Sequence, residues 1–297
     1  MKHWPAYLQR QRSEYLKPSL PLECIADMAV IIPCYNEKEL SLTLDSLIEC
    51  RPPETNTQVI IVINSTVKSD EKAIQQNRET YREAQKFSKT FSTDRLFFVP
   101  VIFENLPKKH GGVGLARKIG MDLAIDYFYK TGNPKGILIS LDADCTVSKN
   151  YLQDIYDAFQ DKKVQCTIHN FHHRVEGNDE AIEKAIREYE GYLRYFEEAL
   201  KYTGFPYYYR TIGSAFAVTA DAYVRSGGMG RQQGGEDFYF LQKIFPMGKV
   251  AVLDDVFVYP MARFSERVPF GTGPALQKII AEPDGQIKVY SMDAFAA

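Results

Sequence analysis

The feature that most constrains the fold is a segment, Met28–Pro33, that is apolar at every position. A strand with one face in water alternates apolar and polar residues, so an unbroken apolar run indicates a strand covered on both faces, as in parallel sheets. Val59–Ile63 and Leu96–Phe103 are two more such runs, and Gly136–Leu141 is a fourth with a single serine. These runs predict a buried, mostly parallel sheet.

Helical patterns separate the apolar runs. We expect helices over Glu37–Glu49, Lys68–Lys89 and Gly114–Tyr129, and a long amphipathic helix over Asn178–Tyr202. Strands that alternate with helices form βαβ units, which predicts an α/β fold with a doubly wound, mostly parallel sheet. Ligands of such sheets bind beyond the carboxyl ends of the strands. The residues directly after each run are therefore the candidates for function.

The length of 297 residues suits one large α/β domain. Residues 1–27 are expected to form an N-terminal helical extension, with a helix near Ala6–Leu16 followed by a proline-interrupted stretch. The domain itself is expected to occupy residues 28–297.

Composition excludes several classes of protein. With 36 Lys+Arg against 38 Asp+Glu, the chain lacks the basic excess of a nucleic-acid-binding protein. Its 45% hydrophobic and 25% charged residues exclude a disordered chain. No apolar run approaches the roughly 20 residues of a membrane span, the first residues lack the apolar core of a signal peptide, and the five cysteines show no Cys-x-x-Cys pattern. We expect a cytoplasmic protein with at most peripheral membrane contact.

Two aspartates, Asp142 and Asp144, follow the fourth apolar run. In an extended segment, residues two apart point to the same side, so both carboxylates can face one cation. Mg²⁺ and Mn²⁺ favour carboxylate oxygens and commonly bridge to substrate phosphates. The alternative is that the two residues cap a helix that begins near Ser148.

A second acidic pair, Glu236 and Asp237, opens a predicted helix over Phe238–Ile244. It follows a predicted strand, Gly213–Val218, and two pairs of glycines at 227–228 and 234–235. Acidic residues at a helix N-terminus are stabilised by the helix dipole, which is a purely structural explanation. The functional explanation is a carboxylate held at the mouth of the crevice as a general base.

Taken in chain order, these segments resemble the GT-A glycosyltransferases, most closely those of family 2. The resemblance rests on Val30–Glu37 with Leu44–Leu47, on the Ala-Arg-containing helix start Gly114–Gly120, on the Asp-x-Asp segment Leu141–Asp144, and on Gly213–Ala217 with the later Gly-Gly and Gly-Glu-Asp-Phe segments. The ordered set covers residues 28–245.

The resemblance implies a GT-A fold with a nucleotide-sugar-binding half (28–145) and an acceptor-binding half (146–297). It implies transfer of a sugar from a UDP- or GDP-sugar to an acceptor hydroxyl, with Mn²⁺ or Mg²⁺ held by Asp144 and Asp142. Asp237 would be the catalytic base, giving inversion, and Glu236 would orient the acceptor or a neighbouring loop. The donor-binding residues that it implies are Pro33, Tyr35, Asn36, Glu37, Asn64, Arg117 and Asp142. Asn64 stands where the family usually has an aspartate.

Several alternatives stay open at this point. Arg263 and Arg267 either bind the diphosphate or an anionic acceptor, or pair with nearby acidic residues. The acceptor is a carbohydrate, a lipid-linked molecule or a small anion. A retaining GT-A transferase that acts on a small anionic acceptor, a nucleotidyltransferase and a nucleotide-sugar-binding module without turnover are the competing functions.

Weaker signals concern three further segments. His169, His172 and His173 suggest an acceptor-side polar loop more readily than a zinc site. The basic, glycine-rich stretch Lys108–Gly114 precedes a helix and suits phosphate binding. An aromatic cluster over Tyr202–Tyr209 suits sugar rings or a lipid carrier, and the segment that starts at Phe270 is expected to close over the donor site.

Overall fold

The computed structural model describes residues 1–296 except 12, 19, 23, 110, 176, 178, 233, 265–270 and 283–286. Helices and strands alternate along this part of the chain. The helices are α1 (Trp4–Gln9), α2 (Leu40–Ile48), α3 (Glu71–Phe91), α4 (Val113–Lys130), α5 (Tyr151–Ala158), α6 (Glu180–Tyr202), α7 (Ala220–Arg225), α8 (Glu236–Ile244), α9 (Thr272–Ala281) and α10 (Met292–Ala296). The strands are β1 (Met28–Cys34), β2 (Thr57–Thr66), β3 (Leu96–Leu106), β4 (Ile137–Ser140), β5 (Cys145–Val147), β6 (Val164–Phe171), β7 (Phe216–Thr219) and β8 (Lys249–Pro260). Among the helices of the described ranges, none combines the length and apolar character of a membrane span.

All eight strands form one sheet in the order β3-β2-β1-β4-β7-β6-β8-β5. The four strands predicted from the apolar runs, β1 to β4, pair in parallel. The second half is mixed, because β7 runs antiparallel to both β4 and β6, and β5 runs antiparallel to β8. The predicted α/β, mostly parallel fold is confirmed, and its antiparallel pairs lie in the half that lacked long apolar runs.

Strand β1 is buried at all seven positions. Its alternate residues pack into two different cores: Ile31 contacts the core under α4, and Val30 and Ile32 contact the core under α2. Each such side chain contributes roughly 1.5–3 kcal/mol when fully buried. Helices on both faces of the sheet are therefore the reason for the unbroken apolar run.

Helix α4 lies very close to the sheet at Gly120. A Cβ at this position would stand 2.6 Å from Cγ2 of Ile31 and 3.0 Å from Cγ2 of Val62. Because glycine has no Cβ, the helix can approach β1 and β2 at this point. This close contact fixes the start of α4, which faces the candidate site.

The N-terminal segment is not a peripheral extension. Trp4 and Tyr7 of α1 are 0% and 1% exposed and belong to the core that contains α4. The Tyr7 hydroxyl donates a hydrogen bond to Asp122 of α4, and Nε1 of Trp4 donates to Asp221 of α7 at 3.3 Å. The expected helix near Ala6–Leu16 is instead α1 followed by a short 3₁₀ helix over Ser13–Leu16.

Helix α2 begins at Leu40, three residues later than predicted. The carboxylate of Glu37 accepts hydrogen bonds from the backbone N–H groups of Lys38 at 3.0 Å and Glu39 at 3.2 Å. These bonds hold a non-helical turn between β1 and α2. Glu37 is 1% exposed and stays at the end of the strand.

Candidate active site

A single cavity of about 1380 Å³ opens at the carboxyl ends of β1, β2 and β4. It is lined by predicted donor-side and acceptor-side residues together. Of the residues predicted for the site, Pro33, Tyr35, Glu37, Asn64, Arg117, Asp142, Asp144, Glu236 and Asp237 line it, as does Arg263. The topology therefore brings into one place residues that lie more than 200 positions apart in the chain.

Asn36 is the predicted donor residue that does not line the cavity. Its φ of 49° is left-handed, a conformation that asparagine tolerates better than most residues. Its backbone N–H donates to Oδ1 of Asn77 on α3 at 2.7 Å. Asn36 thus shapes the turn between Tyr35 and Glu37, both of which reach the cavity.

Asp142 and Asp144 lie in a turn, not in the extended segment that the sequence suggested. Strand β4 ends at Ser140, and the backbone N–H of Cys145 donates to the carbonyl of Asp142 at 3.1 Å. Both carboxylates nevertheless face the same cavity. Helix-capping does not explain them, because α5 begins at Tyr151 with Asn150 at its N-cap.

Arg117 of α4 connects the two acidic segments. It is 2% exposed, donates to Oδ1 of Asp142 at 2.6 Å and also pairs with Glu236. Burial alone would lower the pKa of Arg117, but Asp142, Glu236 and Asp237 outweigh burial and raise it above its ordinary value. Arg117 is therefore a fixed cation between the acidic segments, where the sequence suggested a phosphate ligand.

The local backbone places Glu236 and Asp237 in the first turn of α8. Gly235 precedes the helix with a φ of 71°, a left-handed conformation that glycine adopts without strain. Gly213 lies beside them, and a Cβ there would stand 3.0 Å from both Nη2 of Arg117 and Oδ2 of Asp237. Small residues thus allow the arginine and the candidate base to approach the same point.

The pKa of the Asp237 carboxyl group is higher than that of an ordinary aspartate. Burial raises its pKa to about 6, Arg117 opposes the shift, and Glu236 adds to it. The backbone N–H of Phe238 donates to its Oδ1 at 2.8 Å. A carboxylate with a pKa near neutrality is a better general base than an ordinary aspartate.

Arg263, beyond β8, ties the first strand to the Asp-x-Asp segment. It forms two hydrogen bonds with the carboxylate of Glu37, one of them from Nη1 at 3.2 Å, and its Nη2 donates to Oδ2 of Asp144 at 3.0 Å. Glu37 and Asp144 outweigh the effect of burial and raise the pKa of Arg263. Of the alternatives open from the sequence, pairing with acidic residues is the one observed. Arg267 lies outside the described residues.

These features agree with comparisons to known proteins. A family model described as "Glycosyl transferase family 2" matches residues 29–215, more than half of the chain. The chain belongs to the family 2 glycosyltransferases. The match takes in the cavity residues from Pro33 to Asp144, and the Glu236–Asp237 segment lies beyond it. No curated protein matches the sequence.

Two solved structures share the GT-A fold with this family 2 chain. S. aureus TarS 1–349 is 16% identical with a TM-score of 0.52, and the alignment covers 80% of this chain and 60% of that one. The same protein in complex with UDP-GlcNAc is 18% identical with a TM-score of 0.52, covering 86% of this chain and 65% of that one. The chain thus spans less than two thirds of the length of these relatives.

Of the histidines of the family 2 chain, the three candidates singled out from the sequence, His169, His172 and His173, are not arranged around a metal site. His169 lies within β6, where burial lowers its pKa to about 3, and its Nε2 contacts the Thr167 hydroxyl at 2.9 Å. His173 lines the cavity, with Nδ1 2.9 Å from Glu190 and Nε2 3.0 Å from Thr272. Among the described residues, no group of three or more His, Cys, Asp or Glu side chains is arranged to hold a metal ion.

Sequence reasoning missed part of the cavity wall. Tyr189, whose helical spacing on α6 predicted ordinary core packing, lines the cavity together with Tyr192. Lys68 and Ser69, just after β2, also line it, although Lys68 was predicted to begin a helix. Their position shortly after a predicted strand was the signal that could have identified them, because residues beyond the carboxyl ends of parallel strands face the crevice of the sheet.

Proposed function

We propose that the chain is a nucleotide-sugar-dependent, metal-dependent and inverting glycosyltransferase. The observation that carries the proposal is the cavity that Asp142 and Asp144 line together with the half-buried Asp237, whose pKa is raised to about 6. The pocket thus holds an acidic pair that can bind a cation at the donor diphosphate, and a separate base. This combination suits the transfer of a glycosyl group from a diphosphate to a hydroxyl.

The donor end of the cavity suits a nucleoside diphosphate sugar. Pro33 and Asn64 lie at the carboxyl ends of β1 and β2, Tyr35 directly follows β1, and all three line the cavity, as does Lys108. Asn64 is 3% exposed, and its Nδ2 donates to the carbonyl of Gly111 at 2.8 Å, which fixes its side chain. The complex of TarS with UDP-GlcNAc supports a UDP-sugar for this chain, and a GDP-sugar is the alternative.

The residues present fit a divalent cation. The side chains of Asp142 and Asp144 are 35% and 30% exposed and line the cavity, and carboxylate oxygens are the ligands that Mg²⁺ and Mn²⁺ prefer. In this part of the cavity, the described carboxyl groups are Glu37, Asp142, Asp144, Glu236 and Asp237, facing the guanidinium groups of Arg117 and Arg263. This excess of negative charge favours a cation, with water and donor phosphates completing its ligands.

Asp142 and Asp144 would hold that cation, which when bound stabilises the negative charge of the departing nucleoside diphosphate. Asp237 accepts the proton of the acceptor hydroxyl as its oxygen forms a bond to the anomeric carbon. The bond from that carbon to the diphosphate oxygen breaks in the same displacement, and its electron pair leaves with the diphosphate. Arg117 holds Asp142 and Glu236 in position throughout.

A retaining enzyme for a small anionic acceptor is less well supported. That alternative depended on arginines available to bind an anion. Arg263 instead engages Glu37 and Asp144, and Arg117 engages Asp142 and Glu236. Both described arginines at the centre of the cavity thus neutralise the protein's own carboxylates.

A calorimetric titration with UDP and with GDP, each with and without Mn²⁺, tests the proposal. We expect one of the two nucleotides to bind in the presence of Mn²⁺, and Asp144→Asn to weaken that binding by at least about tenfold through the loss of one carboxylate ligand. Asp126→Asn, on the exposed side of α4 and paired with Lys130, is the matched control. Absence of binding by both nucleotides in Mn²⁺ would refute the proposal.

Arg263 and a divalent cation compete for Asp144. Because the guanidinium occupies Oδ2 of Asp144, we expect Arg263→Gln to bind Mn²⁺ more tightly than the wild type without nucleotide, by about tenfold, the effect of removing one close positive charge. Electron paramagnetic resonance of free Mn²⁺ measures this directly. The control is Arg187→Gln, because Arg187 is exposed and pairs with Glu183 on the same helix, α6. This substitution should leave Mn²⁺ binding unchanged. Equal or weaker Mn²⁺ binding by Arg263→Gln would contradict the competition.

A further inference from the structure

The cavity continues beyond Asp237 into a part that the donor does not explain. One wall comes from α6 and the other from the loop that follows it. We name this region the aromatic arm and define it by Tyr189, Tyr192, Phe196, Phe205, Tyr207 and Tyr208. The region that sequence analysis singled out over Tyr202–Tyr209 supplies only one wall.

The aromatic arm is continuous with the catalytic end of the cavity. Burial, Tyr192 and Asp237 together raise the pKa of Tyr189 to about 12. Tyr189 and Asp237 line the same cavity, and the Tyr189 hydroxyl stays protonated, so it can donate a hydrogen bond to a molecule bound there. A molecule in the arm would present its end to Asp237.

The volume of the cavity leaves room for such a molecule. At about 1380 Å³ it exceeds the roughly 300–1,000 Å³ of a typical small-molecule site. The residues at the ends of β1, β2 and β4 line the part that we assign to the donor. The other part is lined by α6 and by the loop that follows it.

The charges of this region do not suit an anionic acceptor. Glu197 and Arg210 line it, with side chains 12% and 7% exposed, and they lie 3.2 Å apart, so each neutralises the other. His173 is held by Glu190 through Nδ1 at 2.9 Å. Among the described residues that line the arm, each cationic group thus already has an acidic partner. A phosphate group bound here would have to break one of these existing pairs to obtain a cationic partner.

The side chains of the arm also distinguish a sugar from a lipid chain. Four of its six defining residues are tyrosines, which offer a flat apolar ring and a hydroxyl. A saccharide presents apolar C–H faces and polar edges, which match both parts of a tyrosine. An acyl or prenyl chain would contact only the apolar rings, and the tyrosine hydroxyl groups would form no hydrogen bonds with it.

We propose that the aromatic arm binds a neutral carbohydrate chain as the acceptor, with its terminal hydroxyl at Asp237. The inference rests on the proposed glycosyltransferase function and names the acceptor class. Tyr192 lines the arm from α6 and Tyr207 lines it from the loop, and in this proposal each contacts a sugar unit of the acceptor.

The test uses the full chain, loaded with Mn²⁺ and the nucleotide that calorimetry selects, on an array of neutral, phosphorylated and carboxylated oligosaccharides. We expect retention of neutral oligosaccharides. Binding of a retained one, measured by saturation-transfer NMR, should weaken about tenfold in Tyr192→Ala and in Tyr207→Ala, the effect of one lost aromatic contact. Tyr202→Ala is the matched control, because Tyr202 is 79% exposed and does not line the cavity.

Nucleotide affinity separates a defect of the arm from a defect of the donor site. If Tyr192→Ala and Tyr207→Ala bind nucleotide as the wild type does, a loss of saccharide binding is assigned to the arm and not to misfolding. Retention of only phosphorylated or carboxylated probes, or binding of polyprenyl-phosphate vesicles in place of saccharides, overturns the inference while the donor site stands. Retention of no neutral oligosaccharide also overturns it. Failure of nucleotide binding in the wild type would instead refute the proposed function.

Discussion

Asp237→Asn is expected to lower kcat by roughly 10²–10⁴-fold, the usual contribution of a general base. The amide is close to the carboxyl group in size and keeps the same position in α8, but it cannot accept the proton of the acceptor hydroxyl. Nucleotide affinity should stay within about twofold of the wild type, because Asp237 lies on the acceptor side of the cavity. Steady-state kinetics together with calorimetry measure the two effects.

The pH dependence provides the control on this interpretation. Burial raises the pKa of Asp237 to about 6, and the base is active only when it is ionised. The kcat/KM of the wild type should therefore fall about tenfold per pH unit below pH 6 and level off above it. Asp237→Asn should lose this acid limb. A variant that keeps the limb, or that turns over at the wild-type rate, would show that another group takes the proton.

Arg117→Met is expected to produce the largest loss of stability, about 3–5 kcal/mol in free energy of unfolding at pH 7. Methionine fills much of the same space but leaves Glu236, 3% exposed, and Asp142 without their shared cation. Urea unfolding followed by circular dichroism measures the shift in midpoint. Arg117→Lys should recover part of the loss, since a single ammonium group cannot reproduce the two-sided contact.

The direction in which the stability loss of Arg117→Met changes with pH distinguishes lost charge pairing from lost packing. Arg117 lowers the pKa of Asp237, so without Arg117 the pKa of Asp237 in the folded state should rise further above its value in the unfolded chain. The folded variant then binds more protons than the unfolded variant. Its loss of free energy of unfolding relative to the wild type should therefore shrink as pH falls from 7 towards 5. Arg78→Met, in an exposed pair with Glu104, should leave the midpoint unchanged. A deficit independent of pH would indicate that packing alone was lost.

The sheet was the most predictable part of the fold, and the reason is its two-sided burial. Because β1 and β2 are covered on both faces, their sequences are apolar throughout and leave little ambiguity. The antiparallel β7 and the three-residue β5 carry no such signal. Their positions depend on pairing with β4 and β8, which are distant in sequence.

The candidate site was predictable in residue identity but not in its ion pairing. The end of the fourth apolar run pointed to Asp142 and Asp144, the acidic pair after the glycines pointed to Asp237, and all three line the cavity. The partners of Arg117 and Arg263 come from segments 119 and 226 positions away. No local pattern encodes such contacts, so the sequence left ligand binding and ion pairing of Arg263 as open alternatives and did not indicate the acidic partners of Arg117.

The burial of Trp4 has a consequence for the order in which this protein folds. Its indole N–H reaches Asp221, 217 positions further along the chain, so α1 docks onto a helix that is synthesised much later. Contacts of such large sequence separation close late, because the loop entropy must be lost before they form. A nascent chain that ends before α7 would therefore expose the apolar side of α1, and the core covers that side only after α7 has been synthesised.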